Sequence, residues 1–280
     1  MIGSFLVMLR EGFEATLLVA IVLAYLVKIG HREGFRGVWY GLGAAVLVSL
    51  AVAGALFATA SGLSGTAGAL FKAGTMWIAV GFLTYMVLWM KRQSRTVAQG
   101  LRHGVDDAVE KGGMFALATL VFVMVLREGV ETSLFMFGIS QTSTPLGVLV
   151  GGVAGIAGAV ALGYAVYAGG KRIDLGSFFK ITGVLLIIVA AGLMARGVAI
   201  IEIEGLIPAF FYPLWDVTHV GALTSESILG QSLTAFLGWD PQPDLLEFVA
   251  WAGYLLGVGY FFLRPVFPAP VRSSSAEAHG

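Results

Sequence analysis

Residues 9–17 read LREGFEATL and residues 126–134 read LREGVETSL, two copies of the pattern Arg-Glu-Gly-x-Glu embedded in apolar sequence. Each ionisable side chain at the centre of a bilayer costs about 2.5–3.5 kcal/mol on insertion scales. Six unpaired groups would therefore cost roughly 15–20 kcal/mol, which is more than a typical folding free energy. We expect them to face one another or a hydrated cavity.

The composition around these motifs is that of an integral membrane protein. Of the 280 residues, 58% are hydrophobic and 12% are charged, with a mean hydropathy of +0.87. An ordinary soluble domain carries about 25% charged residues. The formal net charge of zero argues against a nucleic-acid partner, and the lack of cysteine excludes disulfides and thiolate metal sites. The expected environment is the lipid bilayer.

Seven apolar segments are long enough to cross a membrane as helices, which needs about 20 residues. Their apolar runs are continuous, which favours helices over strands. The sequence thus predicts an all-α integral membrane protein with seven transmembrane helices, at residues 2–28, 37–60, 68–90, 113–140, 145–168, 175–197 and 246–263.

Basic residues predict how these helices are oriented. They collect on one side of the predicted spans, whereas the other side has only Lys72 and Arg196, near span ends. Cytoplasmic loops are enriched in Lys and Arg. We therefore expect the N-terminus outside and the C-terminus inside a plasma (inner) membrane that the chain crosses several times. The basic set is Lys28, Arg32, Arg36, Lys91, Arg92, Arg95, Arg102, Lys111, Lys171, Arg172, Lys180, Arg264 and Arg272.

The spacing of the two motifs predicts an inverted repeat. They are three spans apart, so the fourth helix runs opposite to the first, as in many secondary transporters. The expected organisation begins with a first three-helix repeat (1–90), a cytoplasmic connector (91–112) and a second three-helix repeat (113–197). An acidic external loop with short interfacial helices (198–245), a seventh transmembrane helix (246–264) and a disordered cytoplasmic tail (265–280) follow.

Within each motif the charged side chains share one helix face, because successive residues rotate by about 100°. The spacing i,i+4 lets Arg10 pair with Glu14 and Arg127 with Glu131. Two arginines against four glutamates leave two negative charges, which call for a divalent cation or protons. The alternative is a purely structural set of ion pairs between packed helices. The predicted ligands are Glu11, Glu14, Glu128 and Glu131.

Further candidates lie beside the motifs and in the external loop. Thr16 and Ser133 occupy matching positions and could line the ion path, or could bond back to helix carbonyls. The external loop is acidic and would concentrate cations, although a solvated loop with helix caps fits equally well. Its candidate capture residues are Glu202, Glu204, Asp216 and His219, the last two spaced i,i+3 as on one face of a helix.

The doubled motif in helices one and four resembles the iron permease family, the oxidase-dependent iron transporters with fungal high-affinity and bacterial branches. Residues 195–198, 205–208 and 213–216 resemble the bacterial branch. The resemblance implies iron import, as Fe²⁺ or Fe³⁺, with the four motif glutamates as ligands and Arg10 and Arg127 as their partners. It also implies an iron-binding or iron-oxidising partner outside the membrane. No organic cofactor is expected.

Two alternatives follow from the residues themselves. Oxygen ligands also suit Mn²⁺, Zn²⁺ or Pb²⁺, so a transporter of another divalent metal stays open. A membrane-embedded di-metal carboxylate enzyme would be expected to use Glu-x-x-His pairs, but the four histidines lie outside the predicted spans. We therefore expect a transporter and not an enzyme. The sequence leaves a homo-oligomer open.

Overall fold

The computed structural model describes residues 1–93, 97–167, 175–224 and 227–264, and within them the regular structure is helical. The predicted tail at 265–280 lies outside the described residues. Two short 3₁₀ turns occur at Arg32–Gly34 and Gly221–Leu223. The α-helices are α1 (Ile2–Lys28), α2 (Phe35–Gly62), α3 (Gly65–Gln93), α4 (Val97–Ser140), α5 (Pro145–Tyr167), α6 (Leu175–Ile203), α7 (Ile228–Leu237) and α8 (Leu245–Leu263).

Six of these helices, among the described residues, are long and apolar enough to cross a bilayer: α2, α3, α4, α5, α6 and α8. The prediction of an all-α membrane protein is confirmed to that extent. Helix α1 has 27 residues, which is ample length for a span, but it carries the three charges of the first motif. Seven spans and the orientation of the termini stay predictions.

Helix α4 has two parts, separated by a non-helical residue. Gly113 has φ 55° and ψ −133°, a conformation that only glycine adopts readily. The part before the kink belongs to the predicted connector, and its Leu101 and Val105 are buried against Leu26 of α1 and Val38 of α2. The part after the kink carries the second motif into the protein.

The two motif-bearing helices have different main packing partners, and the inverted repeat stays a prediction. Helix α1 packs most extensively against α5, and its counterpart α4 packs most extensively against α2. Helices α3 and α6 form a third pair, and α1 also contacts α4. Each motif-bearing helix therefore lies against the second helix of the opposite half. This exchange brings both motifs to the centre of the molecule.

Two apolar clusters lie on either side of the motifs along α1 and α4. One contains Leu6 and Val7 of α1 and Phe135 of α4, and the other contains Val22 of α1 and Val121 of α4. The motif residues fall between them in both helices. The motifs therefore have apolar packing on both sides along the two helices.

Two expectations about the outer part of the chain differ from the structure. The sixth predicted span ends at residue 197, whereas α6 continues to Ile203 because the added residues are almost all apolar. The external loop has two short apolar stretches, residues 205–215 and 228–238. Only the second forms a helix, α7, which Ser227 caps by accepting a hydrogen bond from the Gly230 backbone amide at 2.8 Å. The first contains Pro208 and Pro213, which interrupt helices.

Candidate metal centre

Three glutamates from the two motifs form one cluster. Carboxylate oxygens of Glu11 on α1 and of Glu128 and Glu131 on α4 all lie within 4.8 Å of one another. The three residues are buried, with exposed fractions of 1%, 7% and 5% respectively. The two sequence motifs therefore contribute to a single group of oxygens and not to two separate stations.

The arginine of the first motif is enclosed with its own glutamates. Arg10 Nε lies 3.2 Å from Glu14 Oε1, and Arg10 Nη1 lies 3.9 Å from Glu11 Oε1. The Arg10 side chain is 1% exposed and that of Glu14 is 14% exposed. Glu14 thus pairs with Arg10 and is not part of the group of three oxygens.

The arginine of the second motif is placed differently. Arg127 Nε donates a hydrogen bond to Glu131 Oε1 at 2.9 Å. Its side chain is 47% exposed, and its guanidinium lies 5.5 Å from the centre of the Trp89 ring, within range of a cation–π interaction. Glu131 pairs with Arg127 through one oxygen and still belongs to the cluster of three.

Several oxygens of the cluster have no hydrogen-bond donor among the described residues. Both carboxylate oxygens of Glu11 are buried without one, as are Oε2 of Glu128 and Oε2 of Glu131. A buried carboxylate without a partner is costly. A hard cation bound by oxygen ligands, or protons, would satisfy these atoms. The cluster is therefore chemically suited to take up a positively charged ion.

Small residues permit the close helix packing around the cluster. A Cβ on Gly12 would lie 3.0 Å from the Ala159 side chain of α5, and a Cβ on Gly129 would collide with the Ser49 side chain of α2. Thr16 Oγ1 donates to the Gly12 carbonyl at 2.6 Å, and Ser133 Oγ donates to the Gly129 carbonyl at 2.8 Å. Both hydroxyls thus bond back to the helix; a role in lining the ion path stays a prediction.

One of the predicted capture residues belongs to a second acidic group. Glu202, near the end of α6, lies with Asp244 and Glu247 so that their oxygens are within 4.8 Å of one another. Asp244 is buried and caps α8, accepting a hydrogen bond from the Glu247 amide at 2.7 Å. Sequence reasoning did not single out Asp244 and Glu247. Their spacing, an N-cap acid followed three residues later by Glu, is the signal that marks a helix start.

The other predicted capture residues are exposed and lie apart from this group. Glu204, Asp216 and His219 are all on the surface. The expectation that the last two share a helix face is wrong, because their segment is not helical. Asp216 instead forms a local turn, in which hydrogen bonds from the Thr218 hydroxyl and amide and from Gln242 lower the pKa of its carboxyl.

The sequence matches a known protein family and known proteins over most of its length. Residues 1–274 match the family described as the Iron permease FTR1 family. The chain is 33% identical to the ferrous iron permease EfeU of Yersinia pestis over 268 residues, which cover 95% of this chain and 94% of that protein. It is also 33% identical to the proteins of that name from Shigella sonnei and Escherichia coli O157:H7, over 99% of this chain and 100% of each. No solved structure matches significantly.

Proposed function

The chain belongs to the Iron permease FTR1 family, and from that premise we propose that it imports iron through the cluster formed by Glu11, Glu128 and Glu131. Family and relatives are permeases, so the protein is a multi-pass membrane transporter and not an enzyme. Iron is its transported substrate. The relatives are bacterial, which indicates the inner membrane.

The observation that supports this site is the meeting of both motifs in one buried group of oxygens. Ion pairs alone would satisfy a structural role, yet both carboxylate oxygens of Glu11 and the Oε2 atoms of Glu128 and Glu131 have no hydrogen-bond donor among the described residues. Transporters with inverted repeats bind their substrates near the midplane, between the two halves. The cluster joins α1 of one half to α4 of the other, where such a site is expected.

The charges of the motifs suggest how binding and release would work. With all four glutamates ionised, Arg10 and Arg127 leave a formal charge of −2, which one divalent cation neutralises. An ion bound between the halves could leave when the halves separate on the opposite side. Arg10 and Arg127 would remain and limit the charge that is left behind.

We propose Fe²⁺ as the imported ion, following the printed name of the bacterial relatives. Carboxylate oxygens also accept Mn²⁺ or Zn²⁺, so selectivity over these ions is a separate measurement. The acidic group of Glu202, Asp244 and Glu247 lies at the end of α6 and the start of α8. We propose that an iron-binding or iron-oxidising partner outside the membrane supplies the iron, and that this acidic group attracts the cation before it reaches the cluster.

Iron flux into proteoliposomes tests the proposed site. Replacing Glu11 or Glu128 by Gln removes one charged ligand with little change of volume, and we expect uptake of radioactive iron to fall to background. Glu110→Gln is the matched control, since Glu110 is exposed on the connector part of α4; it should transport like wild type. Ferrous and ferric iron are supplied separately, and Mn²⁺ and Zn²⁺ serve as competitors.

Uptake at wild-type rates by the Glu11→Gln and Glu128→Gln proteins would contradict the assignment of this cluster. Each variant also has to reach the membrane and elute as a homogeneous species in detergent, so that loss of flux is not loss of protein. Complete inhibition by equimolar Mn²⁺ or Zn²⁺ would contradict a preference for iron while leaving the site itself in place.

A further inference from the structure

An open cavity of about 660 Å³ lies at the face of the molecule where the loop between α1 and α2 meets the kink of α4. The loop and the start of α2 contribute His31, Arg32, Glu33 and Arg36, and α4 contributes Val109 and Met114. The predicted topology puts the loop between α1 and α2, with Lys28, Arg32 and Arg36, on the cytoplasmic side. On that prediction the cavity lies where the α2–α4 helix pair meets the polar surface of the bilayer.

The charge in this cavity favours an anion. His31 Nδ1 lies 3.4 Å from Glu33 Oε1. Glu33, the acidic residue in the lining of the cavity, therefore contacts a histidine of the same loop. Arg32 and Arg36 are exposed and form no ion pair within the described part of the chain. Two guanidinium groups at one cavity are the usual means of binding a phosphate oxygen pair.

An apolar groove of about 320 Å³ adjoins this cavity between α2 and α4. Met114 lines both spaces, and the groove is otherwise walled by Tyr40, Ala44, Phe115 and Phe122. The residues of the groove follow those of the cavity along both helices, from Tyr40 to Ala44 on α2 and from Met114 to Phe122 on α4, so the groove leads from the charged cavity toward the middle of the two helices. A charged head and an apolar extension in this order match the shape of a phospholipid.

The backbone explains why this space exists. A Cβ on Gly37 would collide with the Met114 carbonyl region, and one on Gly41 with that of Ala118. This Gly-x-x-x-Gly contact brings α2 and α4 together at their backbones, and the side chains on either side diverge to form the groove. Gly113, at the kink of α4, also lines the cavity, between Val109 of the first part of α4 and Met114 of the second.

From this arrangement we propose that α2 and α4 bind one anionic glycerophospholipid, with its phosphate at Arg32 and Arg36 and an acyl chain in the groove lined by Tyr40, Ala44, Phe115 and Phe122. Basic cavities between helices at the face rich in Lys and Arg bind anionic head groups in this way. A soluble phosphate would use only the cavity, whereas the continuous groove selects a ligand with a chain. The bound lipid would hold the connector part of α4 against the first repeat.

Native mass spectrometry of the full-length protein tests this site. The protein is exchanged into micelles that contain phosphatidylglycerol or phosphatidylcholine with the same acyl chains. We expect one phosphatidylglycerol to be retained in preference to phosphatidylcholine, and Arg32→Gln/Arg36→Gln to reduce its apparent affinity by roughly fivefold or more per arginine. Lys180→Gln/Arg264→Gln removes the same charge elsewhere on this face and should retain the lipid.

A second pair of variants tests the groove. Ala44→Phe fills it and should weaken phosphatidylglycerol binding, whereas Ala55→Phe, also on the exposed surface of α2, should not. Equal retention of both lipids by the wild-type protein, or unchanged retention after Arg32→Gln/Arg36→Gln, would overturn the proposal. Displacement of the lipid by inorganic phosphate would show that only the head group is bound. That result would overturn the proposal that an acyl chain lies in the groove.

Discussion

The two Arg-Glu-Gly-x-Glu motifs have the same chemical sequence and different surroundings. In the first, Arg10 is enclosed and pairs with Glu14, so that only Glu11 joins the cluster of three carboxylates. In the second, Arg127 is half-exposed beside Trp89, and both Glu128 and Glu131 join the cluster. An internal repeat therefore provides equivalent residues on α1 and α4 but does not give them equivalent roles in one conformation.

The two motifs differ because their helices pack against different neighbouring helices. Helix α1 packs against α5 through Gly12 and Ala159, whereas α4 packs against α2 through Gly129 and Ser49. Ser133 also donates a hydrogen bond to the Ser49 carbonyl at 3.1 Å, a contact between α4 and α2 made through a side chain. These unequal interfaces allow the two helices to present their charged faces at different angles.

The largest expected difference is in iron flux, between variants of Glu14 and Glu131, which occupy the same position in the two motifs. Glu131→Gln removes a member of the cluster and should reduce iron flux in proteoliposomes to background. Glu14→Gln removes a carboxylate that borders the cluster, and we expect a loss of about tenfold, as for residues that support metal ligands. Equal losses would contradict the asymmetry and would mean that transport passes through an arrangement in which Glu14 replaces Glu131.

The next largest difference is expected in the free energy of unfolding, between variants of Arg10 and Arg127. Arg10→Gln leaves buried glutamates without their cation and should lower the free energy of unfolding by about 3–5 kcal/mol. Arg127→Gln affects a half-exposed pair, for which we expect about 1 kcal/mol. Unfolding in detergent, followed by circular dichroism, measures both. Similar losses for the two variants would show that the exposure of Arg127 has no energetic consequence.

The smallest effect concerns the glycines. Gly129→Ala places a Cβ against Ser49 and should cost about 1–3 kcal/mol in stability through overpacking. The compensating change Ser49→Gly opens the space and should restore most of that loss in the double variant. Gly12→Ala meets only the edge of Ala159 and should cost less. If the Gly129→Ala/Ser49→Gly double variant is no more stable than Gly129→Ala, the contact between Gly129 and Ser49 does not limit the packing of α4 against α2.

Much of this arrangement can be predicted from the sequence, for identifiable reasons. Hydropathy predicts seven spans, of which six coincide with helices that are long and apolar enough to cross a bilayer among the described residues, and the costly charges in two similar motifs predict that α1 and α4 face each other. The pairing of Arg10 with Glu14 follows from i,i+4 spacing. The sequence does not predict that Glu14 stands apart while Glu131 joins the cluster, because the depth and rotation of each helix depend on its packing partners. Asp244 reaches Glu202 only through the tertiary fold.

The central claim is that both motifs form one metal site, and iron-binding stoichiometry tests it most directly. Purified protein titrated with Fe²⁺ under anaerobic conditions, with binding followed by calorimetry, should bind one ion per chain at the cluster. Glu11→Gln, in the first motif, and Glu131→Gln, in the second, should each abolish that binding. Two ions per wild-type chain, with one retained in each single variant, would contradict the account and assign a separate site to each motif.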